Sequence, residues 1–242
     1  MQATLLSLPT ELRLQIAEYS LEQEPDSGLS LPGEDEYVPK LGCSDPSNLS
    51  LLLVCRQFRD DFTDIAYQKT RFVLGCSAKA VIEEQSDDKL KHIRMLAINC
   101  THDSVFTWLK TGLLFNKDCL HLDELCFIMS RSDDFDQSEM VKLLRCLRNV
   151  GTIRFVVSHK TNSADRKGWA RLIGRMLKDD HYHRYDAPNA PDLGSTWWDW
   201  KLSELDRGLT LTAREPKPPM DEEEYISFVA PHIHRLMAMV AA

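Results

Sequence analysis

Three apolar motifs with the same internal spacing organise the middle of the chain and restrict its fold more than any other feature. They are Ile93-x-x-Leu96-x-Ile98, Leu122-x-x-Leu125-x-Phe127 and Val150-x-x-Ile153-x-Phe155, and they begin 29 and then 28 residues apart. Short apolar runs are typical of buried strands, and a near-constant period indicates a repeated structural unit. We therefore predict three equivalent strands.

An apolar pattern of helical spacing follows each motif. The three patterns are Val105, Phe106, Leu109, Leu113 and Leu114; Met140, Val141, Leu144, Leu147 and Val150; and Trp169, Leu172, Ile173, Met176 and Leu177. Alternating strands and helices predict parallel strands joined by right-handed crossovers. The motif resembles the core of a leucine-rich repeat, in which the three apolar positions anchor a short parallel strand and the residues between them point outward. This resemblance implies an α/β fold with a short leucine-rich-repeat-like parallel sheet and crossover helices. We expect the N-terminal helices to cover the open end of this sheet.

The N-terminal segment Leu6-Ser7-Leu8-Pro9-Thr10-Glu11-Leu12-Arg13 predicts the start of a helix. Proline is favoured at the first helical position, and Ser7 is a candidate N-cap. We expect the helix to run from about Pro9 to Ser20. Its apolar side chains lie on one stripe, which we expect a second segment to cover: Leu8, Leu12, Ile16 and Tyr19.

The second segment is Leu51-Leu52-Leu53-Val54-Cys55-Arg56-Gln57-Phe58. As one continuous helix it would carry Leu49, Leu52 and Leu53 on one face and a second apolar set roughly opposite: Val54, Cys55, Phe58, Phe62 and Ile65. Two interpretations stay open. Either the helix breaks between Val54 and Arg56, or it is apolar on both sides, one for its own core and one for a partner.

The order Leu-Pro-x-Glu-Leu, helix, leucine run and Val-Cys-Arg-x-Phe resembles the F-box, in particular the F-box-like modules of fungal proteins. The resemblance implies docking on a Skp-type adaptor of cullin ubiquitin ligases, with the rest of the chain holding an unidentified protein target. We expect residues 1–74 to form this module and residues 75–242 the leucine-rich-repeat-like domain with its C-terminal helix. The implied adaptor-binding residues are Leu8, Pro9, Leu12, Ile16, Val54, Cys55, Arg56 and Phe58.

An alternative keeps the fold and removes the adaptor. The N-terminal helices would then be an integral cap, and the protein a scaffold or a subunit of another complex. Burial distinguishes the two, because a docking face requires Leu8, Pro9, Val54 and Phe58 to lie outside the chain's own core.

The segment Glu22 to Asn48 is longer than the usual connection of the F-box family. Its prolines, glycines and acidic residues predict an acidic surface loop.

Three tryptophans, Trp197, Trp198 and Trp200, follow a proline-containing segment. They are either core residues, which we favour slightly, or aromatic anchors of an interface. In the second interpretation the 181–200 segment is a loop that binds the target, with His181 and His183 beside the tryptophans.

The C-terminal part predicts an edge strand and a closing helix. Leu209-Thr210-Leu211-Thr212 alternates as a strand does. Asp221 and the glutamates after it favour a helix start, and Pro231 should kink or split the helix. Its predicted buried stripe is Tyr225, Val229, Ile233, Leu236, Met237 and Val240.

Charge and cysteine usage narrow the functional classes. A net charge of −8 disfavours capture of nucleic acid or of an anionic membrane surface. The chain has no run of 18 apolar residues and no basic-then-apolar N-terminus, so we expect a cytoplasmic or nuclear protein. Seven cysteines without a Cys-x-x-Cys pair favour reduced core thiols over disulfides or zinc.

We expect no catalysis, no cofactor and no metal site. The pairs His181/His183 and His232/His234 would converge only on a strand, and we place both in loop or helix. Cys100 can pair with His102 or His121 in principle, but it ends an apolar strand. An enzyme that uses the 181–185 segment is the weakest alternative.

Overall fold

A seven-stranded sheet forms the centre of the protein. The computed structural model describes residues 5–21, 29–30, 48–74, 84–100, 117–132, 135–157, 163–181, 196–203, 208–215 and 220–241. Its strands are β1 (Leu29–Ser30), β2 (Arg71–Leu74), β3 (Met95–Asn99), β4 (Leu122–Met129), β5 (Val150–Val157), β6 (Trp197–Ser203) and β7 (Gly208–Arg214). They lie in the order β1-β2-β3-β4-β5-β7-β6. The prediction of an α/β fold is confirmed.

The register of the central strands matches the sequence repeat position by position. Strands β1 to β5 pair in parallel. Leu96 lies beside Leu125, which lies beside Ile153; Ile98, Phe127 and Phe155 form the next row. These six side chains are all buried in one cluster, and the rings of Phe127 and Phe155 stack with their centroids 5.2 Å apart. The prediction of three equivalent parallel strands is therefore confirmed. The residues between the motif positions are not all exposed, however, because Ala97 and Cys126 are buried in a separate cluster with Val73 and Ile128.

The longer helices of the second part pack on one face of this sheet. The helices are α1 (Thr10–Ser20), α2 (Arg56–Gln68), α3 (Asp87–Leu90), α4 (Gln137–Cys146), α5 (Ser163–His181) and α6 (Glu222–Ala241), with 3₁₀ turns at Leu5–Ser7 and Asn48–Leu53. Side chains of α4, α5 and α6 share a single core with alternate strand residues. Strands β2 to β5 are neighbours in the sheet in the same order as in the chain. Parallel strands that follow each other in this way are joined by right-handed crossovers, and these place all the connecting helices on the same face of the sheet.

Two of the three predicted crossover helices lie within the described residues. Asp136 caps α4, where its carboxylate accepts from the backbone N–H groups of Ser138 and Glu139. The apolar residues of α4 and α5 are buried largely as expected, although Val150 belongs to β5 and not to the helical pattern. The predicted helical pattern from Val105 to Leu114 lies outside the described residues.

Strands β6 and β7 form an antiparallel hairpin that corrects two expectations. β7 was predicted at the edge of the sheet, but it pairs with β5 on one side and β6 on the other. Trp197 to Trp200 form the first half of the edge strand β6, so the alternative interpretation, in which the 181–200 segment is a loop, is wrong for these residues. Gly208 permits this topology, because a Cβ there would overlap the carbonyl oxygen of Phe155 on β5.

The closing helix α6 is continuous through Pro231, so of the two expected effects of this proline, a kink or a split, the split is wrong. Pro231 has no backbone N–H to donate to the carbonyl of Ser227, and both residues are exposed. The stripe is also narrower than predicted. Tyr225, Val229 and Leu236 are buried, Ile233 and Met237 are exposed, and the side chain of Val240 is not described.

The N-terminal helices have a small core of their own. Ala17, Leu21, Phe62 and Ala66 are buried together, apart from the main cluster. Leu49 packs against both cores and thereby connects them. The expected boundary at residue 74 falls at the end of β2, which lies inside the sheet between β1 and β3. Apart from Leu29, Ser30 and Asn48, the acidic segment 22–48 lies outside the described residues.

Candidate docking site on the N-terminal helices

Helix α1 begins at Thr10 and buries a different face from the predicted one. Its buried residues are Arg13 and Ala17, followed by Leu21 just after the helix. Leu12 and Ile16 remain 46% and 42% exposed, and Tyr19 is 82% exposed. The expectation that a second segment covers this stripe is therefore wrong, and so is the expected cap, because no side chain caps the start of α1.

The burial of Arg13 explains this orientation. Its guanidinium donates to the backbone carbonyl of Leu8 at 2.8 Å and to the hydroxyl of Thr10 at 3.1 Å. It also forms an ion pair with Asp61 of α2, with 2.7 Å between Nη2 and Oδ2. A mostly buried charge requires such partners, so these contacts fix the Arg13 side of α1 against α2. The apolar stripe then lies about 110° away around the helix.

The second segment breaks, which confirms the first of the two interpretations. A 3₁₀ turn ends at Leu53, and α2 starts at Arg56. The Cys55 sulfur accepts from the backbone N–H of Phe58 at 3.4 Å, and Cys55 is the N-cap of α2. Val54 lies in the break and is 65% exposed, while Leu53 is 79% exposed.

A polar side chain joins the far ends of both helices. The amide of Asn48 donates to the carbonyl of Leu21 at 2.7 Å and to the carbonyl of Lys69 at 3.2 Å. These two carbonyls follow the last turns of α1 and α2, where backbone acceptors lack partners within the helix. Arg13 near the start of α1 pairs with Asp61 near the middle of α2, and Asn48 joins the C-terminal ends, so the two helices are held together at two points.

The residues that the F-box resemblance implies fall into two groups. Pro9, Leu12, Ile16, Val54 and Arg56 are exposed. Leu8, Cys55 and Phe58 are half-buried, and Phe58 stacks edge-on against Phe62 inside the small core, with ring centroids 5.2 Å apart. The second group therefore also holds the module together.

Sequence reasoning missed part of the exposed apolar surface as a candidate site. Tyr19 and Leu53 are its most exposed large apolar side chains, and Leu6 is 43% exposed. The helical spacing of Tyr19 with Leu12 and Ile16 was a usable signal. No sequence signal predicted the exposure of Leu53, because that exposure depends on where the helical segment breaks.

The predicted target-binding residues are not brought together on one loop. Trp197 is 4% exposed and lies under the guanidinium of Arg145, which stands 4.3 Å from the ring centroid. The indole N–H of Trp198 donates to the carbonyl of Leu144 at 2.9 Å. The slightly favoured interpretation as core residues thus holds for Trp197. Trp200 is half-buried and lies near Arg235 and His232 of α6.

The two histidines of that prediction also separate. His181 ends α5, is exposed, and stacks on Tyr225 with a centroid distance of 5.3 Å. The prediction placed it in a loop. His183 lies outside the described residues.

Two of the described thiols, Cys100 and Cys119, have raised pKa values. Burial raises the pKa of the Cys100 thiol well above its ordinary value, with the neighbouring Cys126 adding to the shift. Burial and a hydrogen bond to Asp87 raise the pKa of Cys119 as well. A raised pKa lowers the thiolate fraction on which nucleophilic reactivity depends. Within the described ranges, no cluster of His, Cys, Asp or Glu side chains is arranged to bind a metal ion.

Comparison with models of protein families, with curated proteins and with solved structures gave no match. None of the helices in the described part of the chain is both long and apolar enough to cross a membrane. The case for a function therefore comes from the geometry of the N-terminal helices.

Proposed function

We propose that the protein is a non-enzymatic, F-box-like interaction protein whose N-terminal helices dock on a Skp-type adaptor of a cullin ubiquitin ligase. One observation carries the proposal: an apolar stripe on α1 stays exposed although the helix packs tightly on α2 through another face. Contiguous exposed apolar surface is characteristic of sites that bind another protein. The motif order of the two segments supplies the kind of partner.

The fastening of the two helices supports this role. Arg13, Asp61 and Asn48 hold α1 and α2 through contacts that do not use the exposed stripe. A surface that is held in place before binding loses less conformational entropy on association. Of the four residues whose burial distinguishes docking from an integral cap, Pro9 and Val54 are exposed and support docking. Leu8 is half-buried and Phe58 packs against the small core, as a cap would require.

In this proposal the α/β layer holds the protein target, so that the chain acts as the substrate-recognition subunit of the ligase. The compartment would be the cytoplasm or the nucleus, where the ligase components function. The identity of the target does not enter the argument for adaptor docking.

A pull-down with purified Skp-type adaptor tests the proposal. Ile16→Asp should abolish capture of the protein, because it places a charge in the exposed stripe without removing a buried side chain. Ile226→Asp is the matched control, since Ile226 is 55% exposed on α6, far along the chain from the proposed face.

The control variant should bind as the unmodified protein does. Failure of the intact protein to bind, or equal binding by Ile16→Asp and Ile226→Asp, would remove the ligase role. It would leave the protein as a scaffold or a subunit of another complex.

A further inference from the structure

Strand β6 lies at one edge of the sheet, and in the described part of the chain it has a strand partner, β7, on one side only. Its two faces differ in character. Asp199 and Lys201 are exposed on one face, while Trp198, Trp200 and Leu202 are half-buried on the other. The second group packs against the large core. A strand with a partner on one side only offers the backbone groups of its other side to a further strand.

We propose that this edge pairs with β6 of a second copy of the chain, antiparallel and about a two-fold axis at Trp200. Residues whose numbers add up to 400 would then lie opposite each other. Asp199 would face Lys201 of the second copy, and Lys201 would face its Asp199. On the other face, Trp200 would meet its own copy, and Trp198 would meet Leu202.

The charges of Asp199 and Lys201 favour a second copy of β6 as the partner and Trp200 as the position of the two-fold axis. A two-fold axis at Asp199 would set two carboxylates opposite each other, and an axis at Lys201 two ammonium groups. Like charges directly opposite destabilise a strand pair, whereas opposite charges and aromatic pairs stabilise it. A two-fold axis is also the usual symmetry of a pair of identical chains.

The existing partner of Asp199 does not prevent this pairing. Asp199 forms an ion pair with Arg214, with 2.8 Å between Oδ2 and Nε, and both side chains are more than half exposed. Exposed ion pairs of this kind contribute little to stability, and a carboxylate has lone pairs for a second partner.

The pairing would join two seven-stranded sheets into one. Strand β2, which follows α2 along the chain, lies near the opposite end of the sheet from β6. The inference therefore does not depend on adaptor docking, and a dimer would carry two copies of the proposed docking face.

Sedimentation equilibrium of the full-length protein over a range of concentrations tests the proposal. A single strand pair buries a small interface, so we expect a reversible dimer with a dissociation constant in the micromolar range. Asp199→Lys and Lys201→Asp each create like-charge pairs, and each should weaken the dimer about tenfold or more. Glu215→Lys and Lys178→Asp make the same charge changes at exposed sites outside β6 and should leave the dimer unchanged.

An equimolar mixture of the Asp199→Lys and Lys201→Asp proteins provides the decisive measurement. In a mixed pair every lysine faces an aspartate, so the mixture should regain the affinity of the unmodified protein. This result does not depend on the stability of either variant, because each variant alone is the reference. A protein that stays monomeric, or a dimer that the charge changes do not affect, would overturn the proposal.

Discussion

Single side chains decide which face of each element is buried, and Arg13 is the clearest case. Charged residues are rarely buried unless they are paired, so a reading by residue type places Arg13 in solvent and Leu12 in the core. The structure has the reverse, because Asp61 lies on the neighbouring helix at ion-pair distance. Asp61 is 48 positions away from Arg13 in the sequence, so no local sequence pattern predicts this ion pair.

Removal of Arg13 should loosen the N-terminal pair strongly. Arg13→Met keeps most of the aliphatic volume but leaves Asp61 mostly buried without its partner, so we expect a loss of about 3 kcal/mol in the opening free energy of α1 and α2. Amide hydrogen exchange of these helices measures it. The double variant Arg13→Met/Asp61→Leu should lose clearly less than the single variant, and equal losses would contradict the role of the ion pair.

The buried thiol of Cys100 predicts a pH dependence. Its pKa is raised above the ordinary value of 9.0 in the folded protein. Its contribution to stability is therefore fully present below pH 9 and is lost as the pH rises from that value toward the folded pKa. The slope from this one group is at most about 1.4 kcal/mol per pH unit. Urea denaturation between pH 8 and pH 10 should show it, and a Cys100→Ala protein with the same slope would contradict it.

At the scale of strands and helices, the spacing of apolar residues was informative wherever a local period determines burial. The repeat from Ile93 to Phe155 predicted three strands, their direction and their shared face, because each motif meets the same environment in its neighbour. The hairpin of β6 and β7 was not predictable in the same way. Its place in the sheet depends on the pairing of β7 with β5, a contact between segments about 50 residues apart.

The two glycines Gly208 and Gly174 make a matched test of the hairpin. Gly208→Ala would force its Cβ into the carbonyl of Phe155, so the β5–β7 pairing must shift, and we expect a loss of about 3 kcal/mol or more. Gly174 in α5 has open space around the position of a Cβ, so Gly174→Ala should stabilise the protein by about 0.5–1 kcal/mol. Thermal unfolding of both variants distinguishes these outcomes, and similar shifts of the same sign would contradict the assignment.

At the scale of the whole molecule, the described residues form three buried clusters, and the two that include helices have different surfaces. The third cluster consists of the strand residues Val73, Ala97, Cys126 and Ile128. The large core covers one face of the sheet with α4, α5 and α6. The small core holds α1 and α2 together and leaves the apolar side chains of α1 and of the break outside. The proposed function depends on this division, since the small core supplies a rigid support and the uncovered stripe supplies the contact.

Amide hydrogen exchange of the full-length protein, with and without a purified Skp-type adaptor, tests this account most directly. Binding through the exposed stripe should slow exchange in residues 8–20 and 53–58 and leave β4 and β5 unchanged. Protection that is absent, or that appears only in the α/β layer, would contradict the assignment of the N-terminal helices as the docking face.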